Sequence, residues 1–407
     1  MSDSPQPILL LHPGTQYSFQ VARQLFRNGN LYQFWTGFAL TDRKWSTRLL
    51  QACLPRRWHK RLANRVIAGL PSKHLRTMPF VELKAIRKLG RGASHQSVLH
   101  QRNQTFQQRL PASAIKNASA IIGFDTSSWI IADKARQLGK PFFLDQSIAH
   151  PLVNQATSEL VANRFPEWST TIERKLPEVL ACESREHELA TKIVVASSYT
   201  KQTLVSQGVP AEKIVINSYG VDLELFHPPA ILRSRQPLRF LFLGLVSARK
   251  GVPLLLEAWR SLAPKEAELW LVGPITSQER RLIPDLPGLE IKGKVPFEEL
   301  PELLRQCDVL VFPSYCEGFA LVLLEALASG IPIITTEATA GPDLIQNGRE
   351  GFLIDSGNLD PLREAMKYFI DHPSEIERMS VAARQCAEKF SWDSYGDRWQ
   401  KILQEFA

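Results

Sequence analysis

Short, fully apolar runs alternating with helix-length patterns predict an α/β chain of two Rossmann-like domains, each a parallel sheet covered on both faces, facing one another across a cleft. Three observations carry this. The 407 residues exceed what one hydrophobic core usually serves. After residue 230 short apolar runs and helical patterns alternate regularly. Charge also breaks in two, since residues 1–230 hold 29 Lys and Arg against 16 Asp and Glu, a net +13, whereas residues 231–407 hold 20 against 25, a net −5. The break falls at the Pro-rich His227-Pro-Pro-Ala230. The expected division is residues 1–228, residues 229–389 and a final helix over residues 390–407.

In the second half the strands are Phe240–Leu243, Glu268–Val272, Leu289–Ile291, Val309–Phe312 and Ile331–Ile334, with helices over Val252–Leu262, after Thr276, over Glu298–Gln306 and over Phe319–Ala328. The first half repeats the scheme less clearly, through Ile8–Leu11, Ala120–Gly123, Phe142–Leu144 and Ile193–Ala196. The amphipathic tail Phe390–Gln404 reads as a helix that either crosses back onto the first domain or caps its own.

Composition is that of a folded globular protein, 44% apolar and 22% charged, which excludes extended disorder. No apolar run is long enough to span a bilayer and the start lacks a basic secretory signal, so the expected location is the cytoplasm or the cytoplasmic face of a membrane. Five scattered cysteines without a C-x-x-C pair suggest neither a disulfide framework nor a zinc site.

The most informative segment is Pro313–Pro332, where Glu317 and Glu325 flank an almost wholly apolar run. A buried carboxylate without a partner costs several kcal/mol, so Glu325 calls for an ion pair, a partly exposed edge or a ligand hydroxyl. Were the segment helical throughout, eight residues would set the two carboxylates roughly 12 Å apart along the axis, beyond the roughly 5–9.5 Å of a glycosidase acid/base pair. They read as two grips on one long ligand. Gly244–Gly251 follows a strand and precedes a helix, so Arg249 and Lys250 would converge with free backbone N–H groups where a phosphate could sit.

With these flanks the segment resembles the retaining glycosyltransferases of family 4, whose hallmark is a Glu, seven residues and a second Glu. The resemblance implies the GT-B fold and a nucleotide-sugar donor. It places Glu317, Gly318, Phe319 and Ala320 at the donor sugar and its phosphate, Glu325 on the ribose hydroxyls, and Arg249 and Lys250 on the diphosphate. Leu245 stands where many members carry an Arg, and Arg249 directly precedes the Lys. The resemblance also places Gly14, in His12-Pro-Gly-Thr-Gln16, near donor and acceptor. The family's His at the end of a central strand has no direct counterpart: either His150 folds back into the cleft or Asp145 and Gln146 take its place. Glu183–Lys201 and Val215–Asp222 resemble the stretch leading to the interdomain crossing.

The implied reaction is retaining transfer of a sugar from a UDP- or GDP-linked donor to a hydroxyl acceptor, a lipid-linked or surface glycan precursor among the options. No enzyme nucleophile, metal or cofactor is implied. A GT-B epimerase, a phosphorylase, or a non-catalytic binder of nucleotide sugar or polysaccharide shares the architecture and stays open. Between Arg43 and Arg109 lie 16 Lys and Arg and one acid, Glu82. Within it Pro55–Ile67 reads as a helix with Trp58, Leu62 and Val66 on one stripe and Arg57, Lys60 and Arg61 alongside, suited to an anionic membrane surface or a solvated face. No specific nucleic-acid motif is present.

Overall fold

The computed structural model describes residues 6–15, 17–42, 65–172, 174–229 and 237–406. Two wholly parallel sheets organise it. The first has seven strands: β1 (Ile8–His12), β2 (Leu31–Thr36), β5 (Leu75–Thr77), β6 (Ala120–Phe124), β7 (Phe142–Gln146), β8 (Lys192–Val195) and β9 (Ile214–Ile216). A separate two-stranded pair joins β3 (Leu40–Thr41) to β4 (Val66–Ile67). The second sheet has six: β10 (Leu238–Leu243), β11 (Ala267–Val272), β12 (Leu289–Gly293), β13 (Val309–Phe312), β14 (Ile333–Thr336) and β15 (Gly351–Ile354).

The spatial orders are β5-β2-β1-β6-β7-β8-β9 and β12-β11-β10-β13-β14-β15. In each, the chain runs outward one way, returns to the middle and continues the other way. The reversals lie between β1 and β6 and between β10 and β13, where loops at the carboxyl ends of the strands diverge and leave a crevice for ligand. The central strands are buried on both faces: Phe240, Leu241 and Phe242 are inaccessible, as are Leu310, Val311 and Phe312. That double burial makes them continuous apolar runs in the sequence.

The last helix, Trp392–Gln404, lies against the helix Ser18–Arg27 of the first sheet's layer. Arg27 pairs with Asp393 at 2.6 Å and also with Asp397, and Asn28 donates to the Gly396 carbonyl at 2.9 Å. Trp399 is buried, edge-on to Phe143 of β7. Tyr395 donates to Asp145 at 3.3 Å, and Tyr17 donates to the other oxygen of that carboxylate at 2.7 Å.

Two expectations are corrected. The helix foreseen over Phe319–Ala328 begins only at Leu321, because Ala320 takes a left-handed φ of 67° that breaks the helical run. Glu317 thus sits in a loop and the 12 Å axial spacing does not apply. Val66 and Ile67 form a strand rather than the end of a basic helix, and the remainder of that expected helix lies outside the described residues apart from Arg65.

Candidate active site

The loop after β10 carries two cations and the loop after β13 carries the carboxylate between them. Arg249 Nη1 lies 3.1 Å and Lys250 Nζ 3.0 Å from Glu317 Oε1. Ser314 donates to the same carboxylate oxygen at 3.2 Å, and the Arg249 guanidinium also donates to the Cys316 carbonyl. Lys250 lies 4.9 Å from the centre of the Phe312 ring. Burial alone would push the Glu317 carboxyl up, but Arg249 and Lys250 outweigh it and hold the group below the usual carboxylate range. Two cations against one carboxylate leave one positive charge unbalanced in a buried place, which suits an incoming anion.

Local backbone explains why these loops meet. Gly251 has φ 76°, and a Cβ there would lie 2.0 Å from the Pro313 carbonyl oxygen, so only glycine lets the two loops touch. The Arg249 carbonyl accepts from the Tyr315 amide at 2.9 Å, closing the contact.

Glu325 stands one turn inside the helix Leu321–Ala328. Among the described residues its carboxylate has no hydrogen-bond or ion-pair partner, and burial pushes its pKa up to about 7. Glu325 is partly accessible, and an unpaired acid held this far above its ordinary range is unfavourable without compensation, which a ligand hydroxyl would supply.

Gly318 lies at the seam between the two halves. Its carbonyl accepts from Thr200 Oγ1 at 2.9 Å and from the Ser197 hydroxyl, and a Cβ there would meet the Ser147 carbonyl oxygen at 1.9 Å. Phe319 is buried and packs on Tyr219, 5.3 Å between ring centres.

On the first-sheet side a cavity of about 690 Å³ opens at the β1/β6 reversal, with His12, Gly14, Arg102 and Lys175 on one side and Ser247 and Arg249 on the other. This volume lies in the range of small-molecule sites. His12 ends β1, is buried, and its Nδ1 has no partner among the described residues. Burial lowers its pKa to about 4, so the ring is neutral at physiological pH. Sequence reasoning singled out the neighbouring Gly14 and missed His12. The available signal was a histidine closing an all-apolar strand.

The structure does not bring every expected residue together. His150 caps the helix Pro151–Arg164, its Nδ1 accepting from the Leu152 amide at 3.3 Å, and its ring faces His187 instead of lining the cavity. Gln146 is engaged with the Ile148 carbonyl and His187, and Asp145 with the two tyrosines already named.

Residues 237–372 match the family model of glycosyl transferases group 1. The chain is 29% identical over 266 residues to MMP alpha-(1->4)-mannosyltransferase of Mycolicibacterium hassiacum, covering 62% of this chain and 63% of the relative. It is 27% identical over 216 residues to WcaL of Salmonella typhimurium, a putative colanic acid biosynthesis glycosyltransferase, covering 49% and 53%. The chain therefore spans less than two thirds of the length of these curated relatives. Among solved structures it is similar to sucrose-phosphate synthase of Thermosynechococcus elongatus, with TM-score 0.67 and 17% identity over 98% of both chains. It is also similar to Anabaena HepE in complex with UDP and glucose, with TM-score 0.62 and 16% identity over 98% of this chain and 100% of that one. The two parallel sheets and these neighbours establish the GT-B fold.

Proposed function

We propose, from the premise that the chain carries a glycosyl transferases group 1 domain over residues 237–372, that the protein is a retaining glycosyltransferase moving a sugar from a UDP- or GDP-linked donor to a hydroxyl acceptor. The observation that carries this is the meeting of Arg249, Lys250 and Glu317 at one carboxylate oxygen, with Glu325, which has no partner among the described residues, on the helix that follows.

In this reading Glu325 accepts from the ribose hydroxyls, and Arg249 and Lys250 neutralise the charge that grows on the departing diphosphate. Glu317 positions both cations and faces the donor sugar. As the bond from the anomeric carbon to the diphosphate oxygen breaks, the acceptor oxygen bonds to that carbon from the same face, and the diphosphate takes the acceptor proton. His12 and Gly14 border the acceptor side of the cavity, where a neutral imidazole can hold a hydroxyl in line. Arg249 and Lys250 supply the charge a divalent ion would supply elsewhere, so a chelator is expected to leave turnover unchanged.

The test is incubation with a UDP- or GDP-sugar and a hydroxyl acceptor, followed by NMR of the anomeric proton. Transfer with the donor's anomeric configuration supports the reading. Inverted product, or nucleotide-sugar binding without transfer to any acceptor, rejects it.

A further inference from the structure

The helix Pro79–Leu89 covers the first sheet's layer with one face only. Val81, Glu82 and Ala85 turn inward, whereas Phe80, Leu83 and Ile86 are 79%, 59% and 54% exposed. Spaced three apart, these three form one apolar stripe along the outer surface. Beside the stripe run the exposed Lys84 and Arg87, with Arg91 just past the helix end. The helix's one acid, Glu82, faces inward to Arg65 and Arg102, at 3.6 and 3.4 Å, and so leaves the outer cations uncompensated by their own helix. Between this helix and the helix His95–Gln108 lies a groove of about 210 Å³, lined by Phe80, Lys84, Lys88, Arg102 and Arg109 with no acid among its lining residues.

We infer that this helix is a docking surface for an anionic phospholipid bilayer: Phe80, Leu83 and Ile86 enter the acyl boundary while Lys84, Lys88, Arg87 and Arg109 meet headgroup phosphates. An apolar stripe flanked by cations is the pattern of an interfacial helix. Charge selects the occupant. Residues 43–64 of this chain hold seven Lys and Arg and no acid, so they repeat the sign of the face instead of offsetting it. Nucleic acid matches the charge but offers nothing to three exposed aliphatic and aromatic side chains, whereas a bilayer matches both. The helix His95–Gln108 presents its other side, through His95, Leu99 and His100, to the cavity between the sheets. Docking would thus hold a membrane one helix away from the mouth of the acceptor site; this last link rests on the glycosyltransferase reading, and the docking does not.

The experiment is co-sedimentation of the full chain with vesicles of phosphatidylcholine alone or mixed equally with phosphatidylglycerol, with no donor present, so that it stands or fails apart from transfer activity. The chain is expected to sediment with the mixed vesicles and to be released by high salt. Phe80→Ser with Leu83→Ser, and separately Lys84→Glu with Arg87→Glu, should each lower the partition coefficient at least about tenfold. Their melting temperatures should be unchanged, because all four side chains are exposed. Either variant binding as tightly as the unaltered chain, equal binding to the two vesicle types, or no sedimentation of the unaltered chain would overturn the inference. So would duplex DNA binding that survives Phe80→Ser with Leu83→Ser while vesicles are ignored.

Discussion

Glu325 is the residue whose chemistry reports most directly on the site. In an unfolded chain this carboxyl titrates near 4.5, while in the folded protein it keeps its proton up to about 7 because burial disfavours the charge. Between these values the folded state binds the extra proton, so Glu325 costs nothing below the lower pKa. Its cost grows as pH rises through the window and is constant above it. Glu325→Gln should therefore be more stable than the unaltered protein at pH 8, by on the order of 1–3 kcal/mol, with the gap closing by pH 4. Urea midpoints across this range check it. On the proposed reading the same substitution should weaken donor binding, because the group proposed to accept from the ribose hydroxyls becomes an amide. Lys250→Ala, by contrast, should lower kcat more than it raises KM, since the charge it meets develops as the diphosphate leaves.

At the scale of elements, the clasp between the last helix and the first sheet's layer is held by packing more than by its ion pairs. Arg27 and the two aspartates are largely exposed, and such pairs contribute at most about 1 kcal/mol. Trp399 is 1% exposed against Phe143 and β7, and Trp399→Ala should destabilise the fold by about 3–5 kcal/mol through the cavity it leaves. Thermal unfolding measures this, and a loss below about 1 kcal/mol would mean that the helix is not packed as described. The elements also explain what the sequence disclosed. The runs Phe240–Leu243 and Val309–Phe312 are strands covered on both sides, so burial wrote them as uninterrupted apolar letters. β2, Leu-Tyr-Gln-Phe-Trp-Thr, mixes buried and half-buried positions, and β5 has only three residues, so neither stood out. The start of the helix before Glu325 was misplaced because nothing in Gly318-Phe-Ala announces a left-handed alanine.

For the whole molecule, the loop carrying Gly318 meets Ser147, Ser197 and Thr200 across the seam although these residues lie far apart in the chain. The Glu317 and Glu325 pair and the Arg249-Lys250 step were legible, since each is a local pattern beside a strand end. The contact of Gly318 with Ser147, Ser197 and Thr200 was not, because only the assembled fold brings residues more than a hundred positions apart together. Nor was the idle Nδ1 of His12, which burial and the cavity create jointly. Gly318→Ala places a methyl group against the Ser147 carbonyl oxygen and should push the halves apart, reducing kcat by at least about tenfold while nucleotide affinity changes little. Steady-state kinetics beside nucleotide calorimetry separates the two effects.

The central claim is that Glu325, Glu317, Arg249 and Lys250 clasp one nucleotide sugar. Calorimetric titration of the unaltered chain, Lys250→Ala and Glu325→Ala with UDP- and GDP-sugars tests it most directly. The account predicts saturable binding of at least one donor to the unaltered chain. Lys250→Ala should weaken that binding less than Glu325→Ala, and Lys250→Ala combined with Glu325→Ala should abolish it. Undiminished affinity in the combined variant would contradict it.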